Sequence, residues 1–384
     1  LDAFHAAFQL APRDMDCVLG LSSVLGLLLT DKHNPIIENM LTGVFEAKGA
    51  DYDALASAAA NQLIHKFGIQ ANGACARALD PKDPLLHQYL TKCLNISPAM
   101  EFALTRLRRD LLLGGTEKCD EDSSDMAVLI ALQCFHNEFV FFSEPDEDKA
   151  VGAIQDNIEA ALASGETSES FDAEALLLAM YRPLTAVDGA EDHVEVFETV
   201  NFSGFHDIVQ IALKDHLEEQ ALKPKIESFS EIEDRTSRDV RGQYEEHPFP
   251  RWVHLPYADP INLAFALQSN FPHFLPPEFL HDPKTILVAG CGTGRHAASV
   301  AQQWPKADIL AIDLSTASIA YAMRNLKKLH IGNVQFLHGD ILEAEKLGGP
   351  FDMVQSVGVL HHMKEPVEGW RILSRLIRNG GVFR

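Results

Sequence analysis

The chain has 384 residues, of which 46% are hydrophobic, so it is long enough for two or three domains with sizeable cores. Its 32 basic and 55 acidic residues give a formal charge of −23. A chain this acidic repels phosphate backbones, which argues against a general nucleic-acid-binding function. No window of about 18 residues is continuously apolar, so we expect neither a transmembrane helix nor a membrane partner.

Cysteine usage bears on the compartment. Six cysteines are scattered along the chain, and none forms a CxxC pair or a zinc-finger spacing with histidine. Scattered thiols in a chain of this length fit a reducing compartment, and no metal site is indicated. Leu1 opens the chain, and no basic stretch precedes an apolar segment there, so we expect no signal peptide. We therefore predict a cytoplasmic protein.

The charge predicts a domain boundary. Residues 1–228 hold 38 acidic and 16 basic residues, a net charge of −22, whereas residues 229–384 hold 17 and 16, a net charge of −1. The boundary is therefore expected near residue 228. The acidic part would suit a basic protein partner or a cationic acceptor, or its charge could serve solvation alone.

Residues 1–228 have helical periodicity, with apolar residues recurring at spacings of three and four, and predict an all-α domain. Phe4, Ala7 and Pro12 match the spacing at the end of a tetratricopeptide unit. An ordinary helical hairpin ended by a proline fits these three positions equally well. No full repeat period follows them.

Residues 229–283 read as a linker or lid. Eight of the nineteen prolines lie between 248 and 283, interleaved with seven aromatic residues. Such proline spacing excludes long regular elements, while the aromatic residues predict an ordered segment that packs on the domain that follows. Tyr244, Arg251 and Trp252 could close over a pocket as a lid or form a strap between domains.

From residue 284 the pattern changes to alternating strands and helices, which predicts a doubly wound parallel sheet. The predicted strands are 285–289, 308–312, 334–337 and 351–357, with a helix over 367–377. A fifth strand would begin at Gly381, where the sequence stops. We therefore expect a fragment truncated at strand five that aggregates readily and binds its ligand weakly, with strand four either at the edge of the sheet or covered only by a four-residue stub.

Ligands of such sheets bind at the carboxyl ends of the strands. Gly290, Gly292 and Gly294 follow strand one and would let the backbone approach a ligand closely. Asp313 follows strand two and could accept the two hydroxyls of a ribose. Asp340 follows strand three and could accept from the amino group of an adenine, beside an apolar wall at Ile341. Both acids could instead be helix N-caps.

The glycine spacing separates two cofactor classes. A dinucleotide fingerprint needs G-x-G-x-x-G, and the third glycine position is Arg295 here. No Walker lysine precedes a serine or threonine either. A nicotinamide oxidoreductase is therefore disfavoured.

With these motifs, residues 285–384 resemble the S-adenosylmethionine-dependent methyltransferases of the Rossmann-like class. The resemblance implies that the glycine loop passes beside the methionine portion, that Asp313 binds the ribose, that Asp340 binds the adenine, and that residues 356–362 border both cofactor and substrate. It implies these cofactor-binding residues: Gly290, Cys291, Gly292, Thr293, Gly294, Asp313, Leu314, Asp340, Ile341, Ser356 and Val357. One position departs from the family pattern, because Val288 stands where an acidic residue is usual.

Residues 243–252 also resemble the "YEExPYPRW" element of bacterial methyltransferases that carry tetratricopeptide repeats. The implied function is in-line methyl transfer to an unknown acceptor, with the helical half binding substrate or partner. The alternative is a helical interaction scaffold with a degenerate or regulatory cofactor domain. His361 or His362 could serve as a general base, or could line the pocket and cap a helix.

Overall fold

The computed structural model describes residues 1–115, 121–246, 248 and 250–384. The chain divides into two compact units, Leu1–Leu217 and Glu218–Arg384. Residues 218–228, which the charge pattern grouped with the helical domain, thus belong to the second unit, as does the segment 229–283. One of the six cysteines, Cys119, lies outside the described residues, and so do His247 and Phe249 of the element 243–252.

The first unit is helical, and its described residues contain no strand beyond an isolated bridge between Ile69 and Cys75. Asn34, Asp83 and Ser97 each cap a helix whose first residue is proline, a combination that fixes the start of the helix. The helices are α1 Asp2–Leu10, α2 Met15–Leu25, α3 Pro35–Glu46, α4 Tyr52–Phe67, α5 Pro84–Lys92, α6 Pro98–Gly114, α7 Glu121–His136, α8 Pro145–Ser164, α9 Phe171–Ala179, α10 Val194–Glu198, α11 Phe205–Val209 and α12 Asp215–Leu222, which crosses into the second unit.

One hydrophobic core joins the helices of the first unit, and a charged side chain lies inside it. Arg108 is 1% exposed. Its Nη2 donates to the carbonyl of Phe142 at 2.7 Å and its Nη1 to that of Met180 at 3.4 Å. Its guanidinium also lies 4.0 Å from the centre of the Tyr181 ring. These contacts partly replace the hydration that the buried cation loses.

The second unit is an α/β sandwich, as the sequence predicts. Its five described strands are all parallel, in the order β3-β2-β1-β4-β5, with an apolar core on each face. The order reverses between β1 and β4, which makes this the switch point. The elements are α13 Arg235–Glu246, α14 Leu263–Asn270, β1 Thr285–Ala289, α15 Arg295–Gln303, β2 Asp308–Asp313, α16 Thr316–Lys328, β3 Val334–His338, β4 Phe351–Gln355, α17 Pro366–Arg375 and β5 Ile377–Phe383.

The fifth strand differs from the expectation. Helix α17 ends at Arg375, and β5 begins at Ile377, four positions before the predicted start. Ile377 pairs with Phe351 and Phe383 with Val354, with an irregular register between them. Strand β4 therefore lies between β1 and β5 and is not an edge strand, and the strand that covers it has seven residues where a stub of four was expected. Across the described residues, no helix is both long and apolar enough to cross a bilayer.

Candidate functional site

A cavity of about 990 Å³ lies at the carboxyl ends of the strands in the second unit. Its wall is built by the segments that follow β1, β2, β3 and β4, by one face of α13 and by the start of α15. This volume falls at the upper end of the range for small-molecule sites, roughly 300–1,000 Å³. The cavity is thus where a doubly wound sheet binds its ligand.

The loop after β1 requires glycine. Gly290, Gly292 and Gly294 have φ values of 73°, 52° and 82°, in the left-handed region. A Cβ on Gly290 would lie 2.4 Å from Cγ2 of Val359, and one on Gly294 would lie 2.4 Å from Cβ of Ala322. The loop is therefore closely packed on both sides.

Asp313 joins the ends of β1 and β2. Its Oδ2 accepts from the backbone N–H of Gly292 at 2.7 Å and its Oδ1 from that of Ser315 at 3.0 Å. Burial raises the pKa of Asp313, and these N–H donors act in the opposite direction. Ser315, and not Asp313, caps α16. A carboxylate offers about four acceptor positions, so Asp313, which lines the cavity, retains capacity for ligand hydroxyls.

Asp340 is both a cap and a cavity residue. It is 3% exposed, and its Oδ1 accepts from the N–H of Leu342 at 2.9 Å, which caps the short 3₁₀ helix Ile341–Leu347. Its Oδ2 has no hydrogen-bond partner among the described residues, and the residue lines the cavity. The N-cap alternative is therefore met without using the whole carboxylate.

A segment before α13 supports the turn after β3. The N–H of Phe229 donates to the carbonyl of His338 at 3.0 Å, and the N–H of Asp340 donates to Oγ of Ser230 at 3.0 Å. The Phe229 ring covers Gly339, where a Cβ would lie 2.4 Å from it. This support could not be predicted from the sequence, because nothing local links residues 228–230 to β3.

Trp252 ties the Pro/aromatic segment to the glycine loop. Its indole N–H donates to the carbonyl of Thr293 at 2.8 Å, and Oγ1 of Thr293 donates to the carbonyl of Pro250 at 2.6 Å. Trp252 is buried, and the Arg251 guanidinium lies 5.7 Å from the centre of the Tyr321 ring. Neither Trp252 nor Arg251 lines the cavity. Their geometry favours a strap that packs on this unit over a lid.

Helix α13 forms one wall of the cavity and is held there by Glu245, which the sequence analysis did not single out. Tyr244 lines the cavity, as do Ser237 and Val240 on the same helix. The Glu245 carboxylate accepts from the hydroxyls of Ser315 and Thr316 and from the N–H of Ala317, at the first turn of α16. Burial alone would raise the pKa of Glu245, but these hydrogen bonds outweigh it and hold the pKa below its usual value.

The residues after β4 divide into two groups. Val357 and His362 line the cavity, whereas Ser356 and His361 do not. The two histidine rings lie with their centroids 4.0 Å apart and their planes tilted by 42°. Both side chains are exposed. No group of three or more potential metal ligands occurs in the part of the chain that the structure describes.

A third histidine, which the sequence analysis did not single out, is part of the cavity wall. His296 stands in the first turn of α15, and its Nε2 lies 2.7 Å from Oε1 of Gln355. Burial lowers the pKa of His296 despite this hydrogen bond. The only sequence signal was its position two residues after the glycine loop.

The residues present fit S-adenosylmethionine. The glycine loop would pass its methionine portion, and Leu314 and Ile341 supply apolar wall. The remaining acceptor positions of Asp313 would accept from the ribose, and Oδ2 of Asp340 would accept from the adenine. Each requirement is met by a residue that already lines one cavity.

Comparison with known proteins supports this fit. Residues 286–381 match a family model described as a methyltransferase domain. A malonyl-[acyl-carrier protein] O-methyltransferase of Paenibacillus sp. is 34% identical over 26% of this chain and 37% of its own. A trans-aconitate 2-methyltransferase of Deinococcus radiodurans is 38% identical over 26% of this chain and 35% of its own. An uncharacterized protein of Synechococcus sp. is 29% identical over 40% and 38%, respectively.

Among solved structures, PKMT2 from Rickettsia typhi in complex with AdoHcy is 26% identical, over 28% of this chain and 21% of that chain, with a TM-score of 0.26. That score is too low to bear on the fold. The chain spans well under half the length of the three relatives described above.

Fold, site and family match together define residues 286–381 as a methyltransferase domain of the Rossmann-like class. The assignment made from the glycine loop and the two acids is confirmed, and so is S-adenosylmethionine as the cofactor of this domain class. The tetratricopeptide character of the first helices stays a prediction.

Proposed function

We propose that the chain acts as an S-adenosylmethionine-dependent methyltransferase on an acceptor still to be identified. The observation that carries this proposal is the Asp313 junction. One carboxylate fixes the glycine loop through Gly292 and still faces the cavity at the carboxyl end of β2. An intact junction of this kind argues against a degenerate cofactor domain.

When bound, S-adenosylmethionine supplies an electrophilic methyl group on a sulfonium that is a good leaving group. The protein's own task is then alignment, a proximity effect worth up to roughly 7–11 kcal/mol. Asp313 and Asp340 would hold the nucleoside end, and the glycine loop would approach the methionine end. Helix α13, fixed by Glu245, would exclude water from that side of the cavity.

The cofactor-binding residues that we propose are those that the family resemblance implies, with one exception in how they would act. Ser356 does not line the cavity, so its role would be indirect. Tyr244 is proposed as a cavity residue, and Arg251 and Trp252 as parts of the strap. His362 is better placed than His361 to meet an acceptor, because only His362 lines the cavity.

The helical unit is proposed to bind the acceptor or a protein partner. Its described surface belongs to a region with a net charge of −21 over residues 1–217. A field of that sign favours a basic protein or a cationic acceptor over nucleic acid.

We also propose a cytoplasmic location. Five cysteines, Cys17, Cys75, Cys93, Cys134 and Cys291, are free thiols. Free thiols at both exposed and buried positions support a reducing compartment.

Calorimetry and thermal shift with S-adenosylmethionine, S-adenosylhomocysteine and NAD test the proposal. We expect saturable binding of the first two at one site and none of NAD. Asp308→Ala, at the exposed opposite end of β2, is the matched control for Asp313→Ala and should bind normally. Saturable binding of NAD alone would overturn the cofactor assignment. Binding of S-adenosylmethionine without methyl transfer to any acceptor in a cell extract would favour the regulatory alternative.

A further inference from the structure

His296 lies at the switch point of the sheet. Its partner Gln355 is the last residue of β4 and pairs with Val288 of β1, so the pair sits where the strand order reverses. Asp313 and Asp340, at the ends of β2 and β3, lie to one side of this point. The residues after β4 line the opposite side of the cavity, where an acceptor would border the cofactor. His296 is therefore placed between the two parts of the cavity.

The hydrogen bond to Gln355 fixes the form of the ring. An amide oxygen can only accept, so in the neutral imidazole Nε2 carries the proton and Nδ1 keeps its lone pair. Gln355 is 1% exposed, and its amide nitrogen donates to the sulfur of Met353 at 3.3 Å, which holds its orientation. No partner for Nδ1 occurs among the described residues. The ring is thus oriented, with one unused acceptor.

The surroundings of His296 favour its neutral form. Burial lowers its pKa, and the charge of Arg384 does so further. The other titratable or charged groups of the cavity wall come from every element around it: Arg295 on the same helix, Cys291 in the glycine loop, Asp234 and Tyr244 before and on α13, Asp313 and Asp340 at the strand ends, and His362, Lys364, Glu365, Glu368 and Arg371 after β4. Glu368 and Arg371 pair with each other at 3.4 Å. A neutral imidazole is the form that can accept a proton.

We infer that His296 is the general base of the proposed methyl transfer, and that the acceptor is a hydroxyl or an amine that loses a proton. This inference rests on the proposed function. As the acceptor's new bond to the methyl carbon forms, its proton passes to Nδ1 of His296, and the electron pair of the methyl–sulfur bond stays on sulfur. The imidazolium gains the positive charge that the sulfonium loses, so the net charge of the cavity does not change.

The test uses binding and requires no acceptor. S-Adenosylmethionine and S-adenosylhomocysteine differ in the sulfonium charge, so a protonated His296 at the reacting centre should disfavour only the former. The ratio of the two Kd values is measured by calorimetry from pH 5 to pH 8. For the native chain, we expect this ratio to favour S-adenosylmethionine about tenfold more at pH 8 than at pH 5. A change of this order is expected when two like charges lie in one cavity. Titration of other groups affects both ligands and largely cancels in the ratio.

His296→Asn should make the ratio independent of pH while both ligands still bind. His330→Asn, at an exposed histidine after α16, should keep the native dependence. A flat ratio in the native chain, or an unchanged dependence in His296→Asn, overturns the inference. If the dependence disappears in His362→Asn instead, His362 is the group near the sulfonium and the inference is wrong. If neither ligand binds the native chain, it is the proposed function that fails.

Discussion

The two units bury polar groups in different ways. In the helical unit, the buried Arg108 directs its guanidinium at carbonyls of its own core and at the Tyr181 ring, inside one continuous apolar cluster. In the α/β unit, Asp313 and Asp340 use part of each carboxylate for backbone N–H groups and present the rest to a cavity. A buried polar group directed at the core around it serves stability, whereas a buried carboxylate that also faces a cavity indicates binding.

The two units also differ in net charge. Residues 1–217 carry a net charge of −21, whereas residues 218–384 carry 20 acidic and 18 basic residues. A nearly neutral unit can hold a cationic cofactor through a few placed oxygens. A strongly acidic unit acts through its field on whatever approaches it.

Replacing Arg108 should give the largest loss of stability without a loss of cofactor binding. Arg108→Ala leaves a cavity and two carbonyls without their donor, so we expect a loss of about 3–5 kcal/mol in the free energy of unfolding. Urea unfolding followed by circular dichroism measures it. The cofactor Kd should stay within about twofold where the protein is folded.

Arg106→Ala is the matched control for that change. Arg106 lies on the same helix as Arg108 but its side chain is exposed, so its loss should cost only about 0–1 kcal/mol. A large drop in cofactor affinity for folded Arg108→Ala would contradict the view that the buried arginine serves stability alone.

Gly290→Ala should destabilise the α/β unit through its loop. The new Cβ meets Val359 at 2.4 Å and the residue has a φ of 73°, so strain and overlap together should cost about 2–4 kcal/mol. Gly358→Ala has the same φ of 73° but nothing within 4 Å, and should cost only about 1 kcal/mol. Equal effects in thermal unfolding would show that the close approach at Gly290 relaxes freely.

Asp313→Ala should have the opposite profile to Arg108→Ala. Two hydrogen bonds from a ribose to a charged group are lost, so the binding free energy of S-adenosylmethionine should weaken by about 2–3 kcal/mol. The Kd should therefore rise roughly 30- to 150-fold. The fold should persist, because Asp313 lies at a strand end, but the N–H groups of Gly292 and Ser315 lose their acceptor, so the free energy of unfolding should fall by about 1–3 kcal/mol. Calorimetry beside the control Asp308→Ala measures the change, and an unaltered Kd would remove Asp313 from the ribose site.

The strands and the two acids could be predicted because their signals are local. A continuous apolar run such as 285–289 is typical of a strand buried on both faces, and the residue after it stands at the ligand edge. The start of β5 could not be placed, because Leu376 and Ile377 continue the apolar pattern of α17. Only pairing of Ile377 with Phe351 decides the end of that helix.

The supports of the site depend on contacts between distant parts of the chain. Trp252 meets Thr293, Ser230 meets Asp340, and Glu245 meets the start of α16. A single sequence carries no period or spacing that links such positions. The aromatic content of residues 248–283 predicted packing but not its partner, and His296 became visible only when β4 placed Gln355 beside it.

Glu245→Gln tests the smallest and most specific of these supports. The pKa of Glu245 is depressed, so its carboxylate contributes stability that is present above the ordinary value of 4.5 and is lost as pH falls through the folded-state pKa. At pH 7 we expect the variant to be less stable by about 1–2 kcal/mol, since a neutral amide interacts less with the first turn of α16. The difference in stability between native chain and variant should disappear as pH falls below 4.5 and through the folded-state pKa of Glu245, because the protonated carboxyl and the amide are then both neutral. Glu278→Gln, at an exposed position without a charged partner in the described chain, should show no such difference at any pH. If the difference in stability between the native chain and Glu245→Gln persists unchanged to pH 3, the shape of the Glu245 side chain, and not its charge, holds α13 over the cavity.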